Sequence, residues 1–184
     1  TPAKDAVTWI NPRIKPGQRH EVLTGIPGKT GIVYTLDRRT GEFLWARPTV
    51  QQNVVAKIDG RSGAVTVNPE ALFTKKGDET TVCPSIHGGK NWPAGAYSPL
   101  TGTMYFPLQN ICSHYTSITS SRTEPSNYGL RAVNQIAPGT QNLGTIHAIS
   151  VSTGKTQWKH EQRSATLSLL TTGGGLLFGG DVAG

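Results

Sequence analysis

No apolar run in this sequence approaches the ~20 residues needed to cross a bilayer, so no membrane span is expected. No long stretch carries an unbroken helical apolar period, which argues against a helical fold. Hydrophobic residues reach only 35% and aromatics 7% of the chain. Acidic residues are also scarce: 11 Asp and Glu stand against 18 Lys and Arg, a formal charge of +7. The surplus is scattered singly or in pairs, as in Arg38-Arg39 and Lys75-Lys76. Without a basic stripe interleaved with aromatics, nucleic acid is not an expected partner, and general solubility and steering of an acidic protein partner are the better readings of the charge. An initiator Met and a signal peptide are missing at Thr1-Pro2-Ala3-Lys4-Asp5. That fits a mature terminus or a cut inside a longer chain, and the closing Gly179 to Gly184, which reads as a strand running into a turn, favours the cut.

Glycine and proline, by contrast, are abundant, at 22 and 12 residues of 184. A chain of this length holds one domain, and this composition points to an all-β domain of many short strands joined by turns. Strands are expected at Glu21 to Thr24, Ile32 to Asp37, Glu42 to Ala46, Thr145 to Ser150, Lys155 to His160, Leu167 to Leu170 and Leu176 to Gly179. The segment around Trp9, with Pro12, Pro16 and Gly17 after it, reads as an irregular connection. Four turns share one pattern: Thr40-Gly41, Ser62-Gly63, Thr101-Gly102 and Thr153-Gly154, followed four residues on by Trp45, Val67, Phe106 and Trp158. Such a turn needs a glycine at positive φ, and the later residue delivers a side chain to a fixed packing position. Unequally spaced hairpins of this kind suit propeller blades better than a strict solenoid. Between Ser113 and Gly144 the pattern dissolves into a Ser, Thr, Asn and Pro-rich stretch, expected to be a long surface excursion.

The stretch from Val82 to Cys112 holds both cysteines of the chain. Cys83 and Cys112 could form a disulfide, remain buried thiols, or supply half of a metal site. Zinc would want more close-set Cys and His ligands than this segment has, which favours the disulfide and an oxidising compartment. Gly28-Lys29-Thr30 is not a phosphate loop, because Leu23 stands where the first glycine belongs and a strand follows. The glycines at 173 to 175 fail a dinucleotide fingerprint at Phe178. His20, His87, His114, His147 and His160 show no ligand spacing and are expected to be structural or surface groups, with His87, near Asn91, the one of interest. Lys29 and the Lys90-Asn91-Trp92 triplet lie in glycine-bounded turns where backbone can approach a ligand closely.

The segments 28–48, 83–112, 153–158 and 173–184 resemble the pyrroloquinoline quinone (PQQ)-dependent alcohol dehydrogenases. The CPS, GGKNWP and NIC elements of 83–112 are the most specific part. That family folds as an eight-bladed β-propeller stapled by tryptophan-docking turns of the form A-x-D-x-x-T-G-x-x-x-W, and this chain would be about three of its four-stranded antiparallel blades. The resemblance implies that residues 1–184 are a fragment of one propeller domain. It implies that Lys29 touches the quinone oxygens and the catalytic carboxylate, that Asn91 hydrogen-bonds the cofactor, that Trp92 contacts it, and that Phe178 lies near an aromatic position beside it. It also pairs Cys83 with Cys112 in a structural disulfide. The catalytic Asp and the calcium ligands of the family are expected outside this chain, on the remainder of the same propeller. In function, the resemblance implies a periplasmic enzyme oxidising alcohols or sugar alcohols and passing electrons to a cytochrome c or other acceptor, this piece being inactive alone. The alternative is a non-catalytic propeller segment that binds or scaffolds.

Overall fold

The computed structural model of the chain describes residues 8–119 and 129–184. Its strands in chain order are β1 (Trp9–Ile10), β2 (Val22–Gly25), β3 (Ile32–Asp37), β4 (Phe43–Pro48), β5 (Val55–Ile58), β6 (Val65–Val67), β7 (Glu79–Val82) and β8 (Ala96–Ser98). They continue as β9 (Thr103–Gln109), β10 (Ile111–Ser117), β11 (Leu130–Ile136), β12 (Gly144–Ser150), β13 (Thr156–Gln162), β14 (Leu170–Thr171) and β15 (Leu177–Phe178). The only helical turn among the described residues is Pro69–Ala71. No helix there is long and apolar enough to cross a membrane.

Two antiparallel four-stranded sheets dominate, ordered β1-β4-β3-β2 and β13-β12-β9-β8. Among the described residues a three-stranded sheet, β11-β10-β7, and the hairpins β5-β6 and β14-β15 accompany them. Successive side chains of a strand point to opposite faces, so a strand covered on both sides reads as continuously apolar. That is the case for Phe43-Leu44-Trp45-Ala46, all buried. A register shift opposite Thr35 and Leu36 makes Leu44 an extra residue of β4, so on one face both Leu44 and Trp45 join Val33 and Val50 against Met104, Phe106, Leu108 and Ile149 of the second large sheet. On the other, Ile32, Phe43 and Ala46 pack against Val55 and Ile58 of the β5-β6 hairpin. Sheets stacked face to face in this way are successive blades of a partial β-propeller.

Arg47 adds a polar tie across the same contact. Its guanidinium donates to the Gly154 carbonyl and, at 3.0 Å, to Thr156 Oγ1. Close by, β12 is buried along its whole length, His147 included. Burial first, and the nearby Lys159 and Arg47 cations second, push the His147 imidazole down to about 3, so it stays neutral.

The recurrent turns share a hydrogen-bonding plan. Gly41 N–H donates to Asp37 O at 2.9 Å, Gly63 N–H to Asp59 O at 2.8 Å and Gly154 N–H to Ser150 O at 2.8 Å. The residue four before each glycine also accepts with its side chain: Asp37 Oδ1 from the N–H of Arg39 and Thr40, Asp59 Oδ1 from Arg61 and Ser62, Ser150 Oγ from Thr153. Each of these glycines has positive φ, as does Gly102. An Asx-type acceptor plus a left-handed glycine is sufficient to build the turn locally.

Several expectations need correction. Trp9–Ile10 is not an irregular connection but an edge strand on β4, because Trp9 packs beside Phe43 and Ala46. The stretch from Ser113 onward is largely sheet: β10 pairs with β11 from Ile111↔Ile136 to Ser117↔Leu130, and with β7 on its other side. Its Ser and Thr residues form ladder bonds that a polar sequence does not advertise. The central part of that excursion, 120–128, and the first residues, 1–7, lie outside the described residues. The strand expected at Leu167 to Leu170 is only Leu170–Thr171. The docking positions also divide. Trp45 and Phe106 are buried in one shared core, whereas Val67 and Trp158 remain 43% and 42% exposed. Trp158 lies on a sheet's outer strand and rests against Tyr105, ring centroids 5.7 Å apart.

Trp45→Ala should therefore destabilise the protein by about 3–5 kcal/mol. Trp158→Ala should cost about 1 kcal/mol, both read from urea unfolding midpoints. The Asp37 carboxyl is held down to about 2, chiefly by its hydrogen bond with His20 and then by the Thr40 N–H. Its contribution to stability is complete above the ordinary value of 3.8 and is lost as pH falls through about 2. The stability gap between wild type and Asp37→Asn should thus narrow progressively over that acid range.

Candidate functional site

Lys29 sits in the turn between β2 and β3, and Asn91-Trp92 in the connection leading to β8. The two turns meet through backbone. Gly89 N–H donates to the Lys29 carbonyl at 2.8 Å, and the Gln109 N–H donates to the Gly89 carbonyl at 2.8 Å. A Cβ on Gly89 would stand 2.4 Å from Val50 Cγ2 and 3.0 Å from Pro84 Cγ. One on Gly88, where φ is +83°, would stand 2.7 Å from the Lys90 carbonyl and 2.9 Å from Lys29 Cβ. Glycine at both positions is what lets the turns fuse.

The segment preceding them is anchored at several points. Cys83 and Cys112 form a disulfide with S–S 2.06 Å, packed with Ala137. Asn53 spans the same anchor, donating from Nδ2 to the Thr81 carbonyl and accepting the Cys83 N–H at Oδ1, each at 2.8 Å. The Tyr115 hydroxyl accepts the Ile86 N–H at 2.7 Å. The Ile86 carbonyl in turn accepts Lys29 Nζ at 2.8 Å. This last contact lies in an exposed position, so the ammonium can exchange it for another acceptor at little cost.

Asn91 closes its own turn, donating from Nδ2 to the His87 carbonyl at 2.7 Å and accepting the Trp92 N–H at 2.9 Å. His87 thus takes part through its carbonyl. Lys90 donates to the carbonyls of Asn91 and Pro93, bracketing Trp92. Burial lowers the pKa of that ammonium. Lys90 was not singled out as a site residue by sequence, although it lies inside the triplet that was. Trp92 itself is 93% exposed. Lys29, Lys90, Asn91 and Trp92, with Ile26 to Gly28, line a cavity of about 260 Å³. Ile26 and Lys90 also line a neighbouring cavity of about 630 Å³ that reaches Tyr97, Met104 and Phe106.

Phe178 is placed elsewhere. It lies opposite Leu170 in the β14-β15 hairpin, 55% exposed, and is not part of the wall of the Lys29 cavity. The hairpin's first strand is nevertheless tied to this region, since Leu169 N–H donates to the Ala94 carbonyl and Thr171 Oγ1 to the Tyr97 carbonyl, each at 2.9 Å.

Comparison with known proteins supplies the lineage. The chain is 31% identical over 161 residues to a lanthanide-dependent methanol dehydrogenase of Methylacidiphilum fumariolicum (strain SolV), covering 85% of this chain and 26% of that protein. It is 37% identical over 101 residues to the dehydrogenase subunit of a quinone alcohol dehydrogenase of Komagataeibacter europaeus, covering 55% of this chain and 14% of that one. The solved structure of a europium-containing methanol dehydrogenase superposes with a TM-score of 0.76 at 28% identity, over 89% of this chain and 29% of that one. The chain belongs to the quinoprotein alcohol dehydrogenase family. It spans about a quarter or less of the two relatives named. No family model matches it. Among the described residues of this quinoprotein chain, no group of three or more His, Cys, Asp or Glu side chains is gathered as a metal site.

The close approach at Gly89 gives a direct check. Gly89→Ala should displace Val50 or part the two turns, and a crystal structure of the variant should show the Gly89 to Lys29 hydrogen bond lengthened or broken. Replacing both cysteines by serine should cost about 3–4 kcal/mol in thermal or urea unfolding, the loop-entropy value for a bridge spanning 29 residues.

Proposed function

We propose that this chain is a piece of one quinoprotein propeller domain and supplies part of its cofactor site, with Lys29, Asn91 and Trp92 as the contacting residues. The observation that carries this reading is the joining of two sequence-distant turns at Gly88-Gly89, which puts Lys29, Asn91 and Trp92 on the wall of one cavity. The donor set suits PQQ, a flat quinone carrying several carboxylates: an exchangeable ammonium, an amide, and an indole face left exposed. Bound there, PQQ would supply the acceptor for the two electrons that an alcohol gives up on oxidation.

The chain's own residues would then divide the work. Lys29 brings positive charge that can leave the Ile86 carbonyl, and a fixed cation favours negative charge developing on a carbonyl oxygen. Asn91 offers both donor and acceptor groups for holding a ring in register. Trp92 provides a flat apolar surface on which such a ring can stack. Lys90 is a positioning residue, because its ammonium is committed to the carbonyls on either side of Trp92. Phe178 would contribute at the edge of the cofactor through the β14-β15 hairpin. The catalytic Asp and the metal ligands would come from the remainder of the propeller. The metal would be calcium, or a lanthanide of the kind named for the methanol dehydrogenase relatives.

The substrates proposed are primary or secondary alcohols or sugar alcohols. The compartment proposed is the periplasm, which the Cys83–Cys112 disulfide supports. A surplus of basic residues, +7 formally, suits an acidic electron acceptor such as a cytochrome c. In the complete enzyme with saturating cofactor, Lys29→Ala should lower kcat by about 100-fold or more. Its melting temperature should stay close to that of wild type, since Lys29 is exposed. Unchanged turnover would remove Lys29 from the mechanism.

A further inference from the structure

Lys29 is held at both ends by one turn. Gly89 N–H donates to the Lys29 carbonyl at 2.8 Å, and Lys29 Nζ donates to the Ile86 carbonyl at 2.8 Å. Whatever fixes the backbone at Ile86 therefore fixes the resting place of the ammonium. The turn is closed on itself, with Gly88 N–H donating to the Ser85 carbonyl at 2.8 Å and His87 N–H to Ser85 Oγ at 3.1 Å.

Strand β10 ties that turn down at two successive amides. Ser85 N–H donates to the Ile111 carbonyl at 3.0 Å, and Ile86 N–H donates to the Tyr115 hydroxyl at 2.7 Å. The first tie joins backbone to backbone and survives a change of side chain, whereas the second depends on a single hydroxyl. Tyr115 is well placed to give a fixed point. It stands mid-strand between β7 and β11, is only 5% exposed, and meets the Phe73 ring edge-on with centroids 6.3 Å apart. A ring packed in this way keeps one position. The Ile86 side chain, in contrast, is 49% exposed and restrains its own backbone little.

We propose that Tyr115 is a positioning residue for Lys29. Through the Ile86 N–H it sets where the Ile86 carbonyl stands, and so where the Lys29 ammonium waits beside the cavity shared with Asn91 and Trp92. The inference rests on the role given to Lys29 above. Tyr115 itself is not part of that cavity's wall. A cation on a flexible stem stabilises developing charge only when its place is preset, and the hydroxyl supplies that setting from outside the site. Removing it leaves the ring, the disulfide and the Ser85 tie, but frees Ile86 to swing and the ammonium with it.

The test compares the full-length protein that carries this chain with its Tyr115→Phe, Lys29→Ala and double variants. In crystals of the cofactor-free Tyr115→Phe protein, Lys29 Nζ should have left the Ile86 carbonyl or be spread over several positions. In solution, deuterium exchange at the Ile86 amide should quicken at least about tenfold. The Cys83 amide, held by Asn53, should be unchanged. With cofactor bound, Tyr115→Phe should lower kcat about tenfold and leave the alcohol KM within about twofold, as expected of a change felt in the transition state. In the Lys29→Ala background the same change should have no further effect on kcat, an outcome that a merely structural tyrosine would not produce. A Lys29 ammonium unmoved in the cofactor-free variant overturns the proposal. So does a kcat loss equally large with and without Lys29, or full turnover of Tyr115→Phe where Lys29→Ala is impaired. Should Tyr115→Phe not fold, wild type decides: an Ile86 amide that exchanges as fast as a free one overturns the tie. If Lys29→Ala leaves turnover intact, the role assigned to Lys29 falls instead, and the cofactor-free crystals still decide whether Tyr115 places it.

Discussion

The structure turns on the passage of two backbones past one another at Gly31 and Gly89. A Cβ on either glycine would lie within 3.7 Å of the other's Cα and within 2.9 Å of the Val50 methyl. Val50 belongs to the core that joins the two large sheets. One contact therefore couples blade packing to the geometry of the Lys29 and Asn91 turns. Moving either turn outward would open a gap at the edge of that core, and close-packed interiors resist such gaps by kilocalories.

Around that passage the polar groups take unequal parts. Lys90 and Asn91 are engaged by carbonyls inside their own turn, which leaves Trp92 projecting from a rigid loop. Lys29 instead rests its ammonium on an exposed carbonyl at the end of a flexible stem. Two lysines close in space thus differ in availability: one holds shape and the other can meet a ligand. The disulfide, Asn53 and Tyr115 set the position from which this loop springs. Electrostatic stabilisation requires preorganised charge, and the rigid support beneath the turn limits where the Lys29 ammonium can sit.

Much of the fold was legible because it is local. A left-handed glycine preceded four residues earlier by Asp or Ser makes its turn with bonds that span only five residues, so Asp37, Asp59 and Ser150 signal their hairpins directly. The β10-β11 hairpin was not legible. Its Ser, Thr, His and Asn residues carry no alternation of apolar and polar types, and the strands exist because they extend a sheet begun by β7. Trp9 was missed for a related reason, since a two-residue strand has no periodicity to detect. The equivalence expected of the docking positions also failed, because burial of a docking side chain depends on which sheet faces it. Trp45 and Phe106 meet across one interface, whereas Trp158 lies on an outer strand.

The sequence by itself determined the all-β class, the turn chemistry, the identity of the cysteine pair and the glycine-bounded setting of Lys29, Asn91 and Trp92. These are properties of short segments, decided by φ preference, side-chain acceptors and residue type. Only the tertiary structure decided that Lys29 and Asn91 share a wall, that Phe178 stands apart from it, and that Lys90 is engaged in holding the loop. Those outcomes depend on which backbones can approach and which faces are covered, and such contacts between residues far apart in the chain leave no mark on local pattern.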